Sequence, residues 1–242
     1  MSTAILRIVK LKKNFGGLTA VNEPSFEVTS GSITALIGPN GSGKTTAFNL
    51  ITRVLNADGG AVYFAGTDIT RWPSHRIAQA GVGRTFQISR VFGQLTLWEN
   101  MLVVARGRSS AQTRARAEAL LRLVKLWDLR EKFAADTSYG QQKLLEFARV
   151  LMLNPSLIML DEPFAGVNPT MQQQLVALIR QLQGEGKTFF IIDHAMTIIM
   201  SLCEKIIVLD MGEKIAEGAP AVVQNNERVL EAYFGRRNEG TK

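Results

Sequence analysis

Residues 38–46 read Gly-Pro-Asn-Gly-Ser-Gly-Lys-Thr-Thr, and no other segment narrows the possible folds as much. They hold the spacing G-x-x-x-x-G-K-T. The apolar run Ile33 to Ile37 leads directly into them, and Ala47, Leu50, Ile51 and Val54 follow at i, i+3, i+4 and i+7. A buried strand, a glycine-rich loop and an amphipathic helix are therefore expected in that order, which is the context that makes the spacing meaningful. Gly38, Gly41 and Gly43 let successive backbone amides turn inward around an anion, with Pro39, Asn40 and Ser42 completing the loop. The helix dipole adds partial positive charge. Lys44 can then reach outer phosphates, Thr45 can ligate magnesium and Thr46 adds a phosphate contact. A nucleoside triphosphate with Mg2+ is the ligand this chemistry suits, and Lys44 is a first catalytic candidate.

A second apolar run, Leu157 to Leu160, delivers Asp161 and Glu162 at its end, followed by Pro163. Ligands of α/β sheets bind at the carboxyl ends of strands. Two adjacent carboxylates there imply two roles: Asp161 as a metal ligand, and Glu162 as the base that orients and deprotonates water. His194 follows the apolar run Thr188 to Asp193, again at a strand end, where it can sense or stabilise a terminal phosphate. Gln87, in Arg84-Thr85-Phe86-Gln87, is a neutral amide able to reach metal or water. His75, in an expected surface helix after Pro73, is read as structural.

Strand-like and helix-like segments alternate along the rest of the chain. Strands are expected over 5–12, 25–37, 187–193, 205–210 and 214–217, with helical residues from Pro220 to Phe234. Asn168-Pro169 is an N-cap followed by proline at the first helical position. Residues 90–150 change character: Thr96-Leu97-Trp98-Glu99 is a capping box, and Ala117, Leu120, Leu121 and Val124 stripe a further helix. The pattern implies an α/β fold with a largely parallel sheet and a helical insert.

Bulk properties exclude several classes. No apolar run approaches the roughly 20 residues of a membrane-spanning helix. The N-terminus alternates apolar and basic residues instead of carrying a secretory signal, so a cytosolic location is expected. Cys203 is the single cysteine, read as a buried, inert thiol. The net charge of +7 favours polyanionic partners without choosing among them. Arg106, Arg108, Arg114, Arg116 and Arg122 cluster without interleaved aromatics, which favours a solvated or membrane-proximal face over nucleic-acid contact.

Five motifs in one order complete the reading: the phosphate loop, Gln87, Ser138-Tyr139-Gly140-Gln141 opening a helix, Asp161-Glu162, and His194. This resembles the ATP-binding subunit of an ABC transporter across essentially the whole chain. GLTAVN (17–22), GVGRTFQ (81–87), SYGQQKLLEFAR (138–149), EPFAGVNP (162–169) and EAYFG (231–235) are similar to the ATP-binding proteins of branched-chain amino acid importers, the LivG-like type. The resemblance implies a P-loop NTPase (RecA-like) core over 1–87 and 149–242, with a small antiparallel β subdomain. An α-helical subdomain carrying the signature would occupy 88–148.

It also implies that Phe15 stacks on adenine and that Gln87 links the metal to membrane subunits. Ser138, Gly140 and Gln141 would grip the ATP of a second chain, with Ser138 as N-cap and the amides of Gly140 and Gln141 as an anion site. Ala165 to Asn168 would cross the dimer interface. The implied partners are an identical chain or a sister ATPase, integral membrane permeases and, indirectly, an extracytoplasmic binding protein, with no nucleic acid. The implied place is the cytoplasmic face of the inner membrane. Tyr139, Asn168 and Ala195 depart from the usual family residues, which are glycine, aspartate and aspartate. A urea or amide importer, a soluble nucleic-acid ATPase and a small-molecule kinase are the alternative readings.

Overall fold

The computed structural model describes residues 3–104 and 110–234. Strands β1 (Ala4–Phe15), β2 (Leu18–Asn22) and β3 (Phe26–Thr29) open the chain, followed by β4 (Ile33–Ile37). The alternation over 25–37 thus divides into two strands of different sheets, separated at Gly31, whose φ of 74° makes the turn. After the glycine loop comes α1 (Lys44–Ile51). Val54, expected on this helix, lies beyond its end and is exposed, because the chain turns at Arg53 with a φ of 56°.

Strands β5 (Gly59–Phe64) and β6 (Thr67–Asp68) close an antiparallel sheet in the order β2-β1-β5-β6, with β3 also paired to β1. Next come α2 (Ser74–Ala80) and β7 (Val82–Arg84), then the helices α3 (Leu97–Val104), α4 (Ala111–Leu123) and α5 (Tyr139–Met152). The Thr96 capping box forms as expected: Glu99 N donates to Thr96 Oγ1 at 3.1 Å, and Thr96 N donates to the Glu99 carboxylate at 2.8 Å. Helix α5 is continuous through residue 148, so the expected limit at 148/149 falls within one helix.

The chain then alternates β8 (Leu157–Asp161), α6 (Pro169–Gly184), β9 (Thr188–Ile192), α7 (Met196–Leu202), β10 (Lys205–Asp210) and β11 (Glu213–Gly218). The second sheet has the order β11-β10-β4-β9-β8-β7, parallel except for the β10–β11 hairpin. The expected helical stretch 220–234 forms two helices, α8 (Pro220–Gln224) and α9 (Glu227–Phe234). Asn226 separates them, its side-chain oxygen accepting from Val229 N at 3.2 Å as a new N-cap does.

The apolar runs of the central strands feed two cores. In β8 and β9, Ile158, Leu160, Phe189 and Ile191 face the helices α5 and α6, while Leu157, Met159, Phe190 and Ile192 face α1 and the antiparallel sheet. A period of two with both faces covered requires continuous hydrophobicity, which is why these strands do not alternate. Phe48 of α1 meets Phe190 at 4.9 Å between ring centroids, fixing the helix after the glycine loop to the sheet. Leu144, Leu145, Phe147 and Leu151 of α5 belong to the same core as Phe189, so the helical layer is packed on the sheet.

Candidate functional site

The loop after β4 sits where that strand ends beside β10. Gly38 has a φ of 151°, and a Cβ there would stand 2.0 Å from Leu209 O; at Gly43 the φ is 97° and a Cβ would stand 2.4 Å from Ala20 O. Both positions require glycine for conformation and for space. The loop is tied to its surroundings by Gly212 N donating to Ser42 O at 3.1 Å, and Gly212 O accepts from Asn22 N of β2 at 2.8 Å. Lys44 Nζ donates to Gly38 O and Pro39 O, each at 2.8 Å, which holds the ammonium at the loop. Burial lowers the Lys44 pKa from its ordinary value, opposed by the negative charges of Glu162 and Asp161.

Asp161 is the last residue of β8 and is buried. Its Oδ2 is paired with Arg84 at 3.0 Å, whereas Oδ1 is buried and has no protein partner. Burial raises its pKa, and the Arg84 bond opposes that rise. One oxygen fixed and the other unengaged, beside a loop that suits phosphate, is the donor arrangement a magnesium ion fits; such ions take one or two carboxylates and complete their shell with phosphate and water. Among the described residues there is no group of three or more His, Cys, Asp or Glu that could hold a metal ion by protein ligands alone.

Glu162 follows in a left-handed conformation, φ 49°, uncommon for a side-chain-bearing residue. Two bonds impose it: Glu162 N donates to Ile192 O at 2.7 Å, and Lys143 Nζ donates to Glu162 O at 2.6 Å. The turn aims the carboxylate away from the strand, where Gln87 Nε2 donates to Oε2 at 3.1 Å and His194 Nε2 lies 3.4 Å from Oε1. Gln87, Glu162 and His194, spread over more than a hundred residues of sequence, therefore share one carboxylate. Asp193, beside His194, is buried and accepts from Phe164 N and Ala195 N at 2.9 and 2.8 Å, which shapes both loops.

Ser138 caps α5: its Oγ accepts from Gln141 N at 3.3 Å, and Gln141 Oε1 accepts from Ser138 N at 2.9 Å. Both bonds stay within the helix's own first turn, leaving Gly140 at the helix start against Met171 and Val167. Tyr139 is exposed and lies across neighbouring loops: its hydroxyl donates to Gln87 O at 3.3 Å, and its ring lies against Gly166. Phe15 ends β1 half-exposed, with Lys13 Nζ 5.5 Å from its ring centroid. Thr45 is exposed and Thr46 half-buried in the first turn of α1.

Several residues of this site were not singled out from sequence: Arg84, Lys143 and Glu146. The available signal was the pair of opposite charges Lys143 and Glu146 at i, i+3, buried in the helix that also supplies Leu144, Leu145 and Phe147 to the core. Where the arginine cluster is described, Arg116 donates to Leu151 O, and Arg122 pairs with Glu118 at 2.8 Å and lies over Trp127. Arg106 and Arg108 lie outside the described residues. Cys203 is buried, and burial pushes its thiol up to about 12, an inert group as expected. No helix among the described residues is long and apolar enough to cross a membrane.

Comparison with known proteins follows the same lines. The ABC transporter family model matches residues 21–165, and the model for the branched-chain amino acid ATP-binding cassette transporter matches residues 213–238. The high-affinity branched-chain amino acid transport ATP-binding protein BraF of Pseudomonas aeruginosa is 38% identical over 97% of this chain and 99% of its own length. The corresponding protein LivG of Escherichia coli K12 is 36% identical over 97% and 99%. The crystal structure of the ADP conformation of MJ1267, an ATP-binding cassette of an ABC transporter, superposes with a TM-score of 0.87 at 35% identity, covering 97% of this chain and 100% of that one. With its phosphate loop, its strand-end carboxylates and a fold shared along nearly its full length, the chain belongs to the ABC transporter ATP-binding family, a family of ATPases.

Proposed function

We propose that this chain is the ATP-hydrolysing subunit of an importer of branched-chain amino acids, acting as a dimer at the cytoplasmic face of the inner membrane beneath separate permease subunits. The observation that carries the hydrolytic part is the Glu162 carboxylate, held at 3.1 Å from Gln87 and 3.4 Å from His194, with Lys44 close enough for its charge to be felt. Gly38 to Thr46 bind the triphosphate, Phe15 offers an aromatic face for the base, and Lys44 neutralises the outer phosphates. Thr45, Asp161 and Gln87 would hold a magnesium ion, which would supply neutralisation of phosphate charge. Glu162 accepts a proton from water as the water oxygen bonds to the γ-phosphorus. The bond to the β–γ bridging oxygen breaks, giving ADP and phosphate, and His194 steadies the γ-phosphate.

Ser138, Gly140 and Gln141 form a second anion site at the start of α5. Because its bonds are internal to that helix, this surface is free to close over the nucleotide of another chain, and Ala165 to Asn168 would meet that chain. The amino acid cargo is supported by the relatives' names and by the match of residues 213–238; the ATPase itself need not touch the cargo. The test is Glu162→Gln: ATP binding and ATP-dependent dimerisation should persist while hydrolysis falls by about 10²-fold or more. Undiminished turnover would reject Glu162 as base. Co-purified with its membrane subunits in vesicles, the protein should drive ATP-dependent uptake of leucine, isoleucine or valine; uptake of none of them would reject the cargo.

A further inference from the structure

Helix α5 carries a polar stripe that hydrolysis, as described above, does not use. Tyr139, Lys143, Glu146 and Arg149 fall at i, i+4, i+7 and i+10, one face of the helix. Each reaches the main chain of the loops bearing Gln87 and Glu162. Tyr139 donates to Gln87 O at 3.3 Å. Lys143, buried, donates to Glu162 O at 2.6 Å and to Ala165 O at 2.8 Å. Glu146 Oε1, also buried, accepts from Phe86 N and from Arg90 N, both at 3.3 Å, so one oxygen closes the segment that contains Gln87. Arg149 donates to Arg90 O, and Ser89 Oγ adds a bond to Gln142 O at 3.2 Å.

Two buried, oppositely charged side chains satisfied by main-chain groups are costly to break one at a time. Bonds to main chain fix where a loop runs, and hence where its side chain can point, whatever that side chain is. We propose that this face of α5 is a rigid strut that sets Gln87 and Glu162 against each other, with Lys143 and Glu146 as positioning residues. Its consequence rests on the function proposed above: the helix whose first turn would grip one nucleotide also holds the residues that would hydrolyse the other. Closure at Ser138 is thereby transmitted along α5 to Glu162 of the same chain, and the two sites of a dimer are coupled by a single element.

The test uses full-length protein with Lys143→Met, Lys143→Arg and, in case the first folds poorly, Tyr139→Phe, which removes one hydroxyl near the surface. Lys143→Met should lower kcat about 10- to 100-fold with the KM for ATP nearly unchanged, since it misplaces the base without touching the phosphate loop. Amide exchange should rise in residues 162–166 and stay unchanged in β1 and β5. Lys143→Arg, which can still donate to both carbonyls, should restore most of kcat, and Tyr139→Phe should lower kcat by a few-fold at constant KM. The strut is overturned if Lys143→Met keeps wild-type kcat and exchange, or if its loss of turnover merely follows loss of folded protein and of ATP binding. Wild-type hydrolysis abolished by Glu162→Gln establishes the functional reading separately. If the wild type hydrolyses no ATP, that reading falls and the exchange measurement alone decides the strut.

Discussion

At the scale of single residues, the glycine loop separates two demands that its sequence pattern merges. Gly41 needs only its φ of 80°, with nothing within 4 Å of where a Cβ would stand, whereas Gly43 needs both its φ and the space taken by Ala20 O at 2.4 Å. Gly41→Ala should therefore cost about 1–2 kcal/mol, the conformational penalty alone. Gly43→Ala should cost more than that and displace β2 from the loop. Thermal unfolding of the two variants checks the ranking, and equal losses would show that Ala20 yields freely. The same spacing that made Gly38, Gly43 and Lys44 legible said nothing of Ala20 or Leu209, whose carbonyls make glycine obligatory. They arrive from strands distant in sequence.

At the scale of elements, the departure at Asn168 has a simple resolution. Its Oδ1 accepts from Met171 N at 2.9 Å, so it caps α6 by hydrogen bonding, a role that an aspartate would also fill. Asn168→Ala should lose about 1 kcal/mol, and Asn168→Asp should stay within about 0.5 kcal/mol of wild type, helped by the helix dipole. Chemical denaturation measures both, and equal losses in the two variants would refute the cap. Caps at Thr96, Ser138 and Asn168 were readable because a capping residue and its partner amide lie within four positions. The break at Asn226 and the early end of α1 were not. There, apolar spacing continued past the point where the chain turned to reach its next packing partner.

At the scale of the whole molecule, the junction of sheet and helical layer buries charge, and that has a signed consequence for stability. Burial raises the Glu146 pKa above its ordinary value, opposed by the Arg90 and Phe86 amides and by the Arg149 charge. An acid whose folded pKa is raised binds more protons folded than unfolded, so its contribution to stability declines as pH rises from about 4 through the raised value. Glu146→Gln should flatten that decline in a series of thermal midpoints against pH, and an unchanged slope would place the titration elsewhere. The amino-acid sequence by itself determined the strand, loop and helix order around the phosphate loop, the strand-end carboxylates and the largely parallel sheet. Each is written in neighbouring residues, through backbone freedom, period and charge. Only the tertiary structure decided that Gln87, Glu162 and His194 share one carboxylate, that Arg84 holds one oxygen of Asp161, and that α5 ties the two loops together. Those contacts join segments tens of residues apart, and side-chain periodicity carries no record of which distant main chain a buried lysine or glutamate will meet.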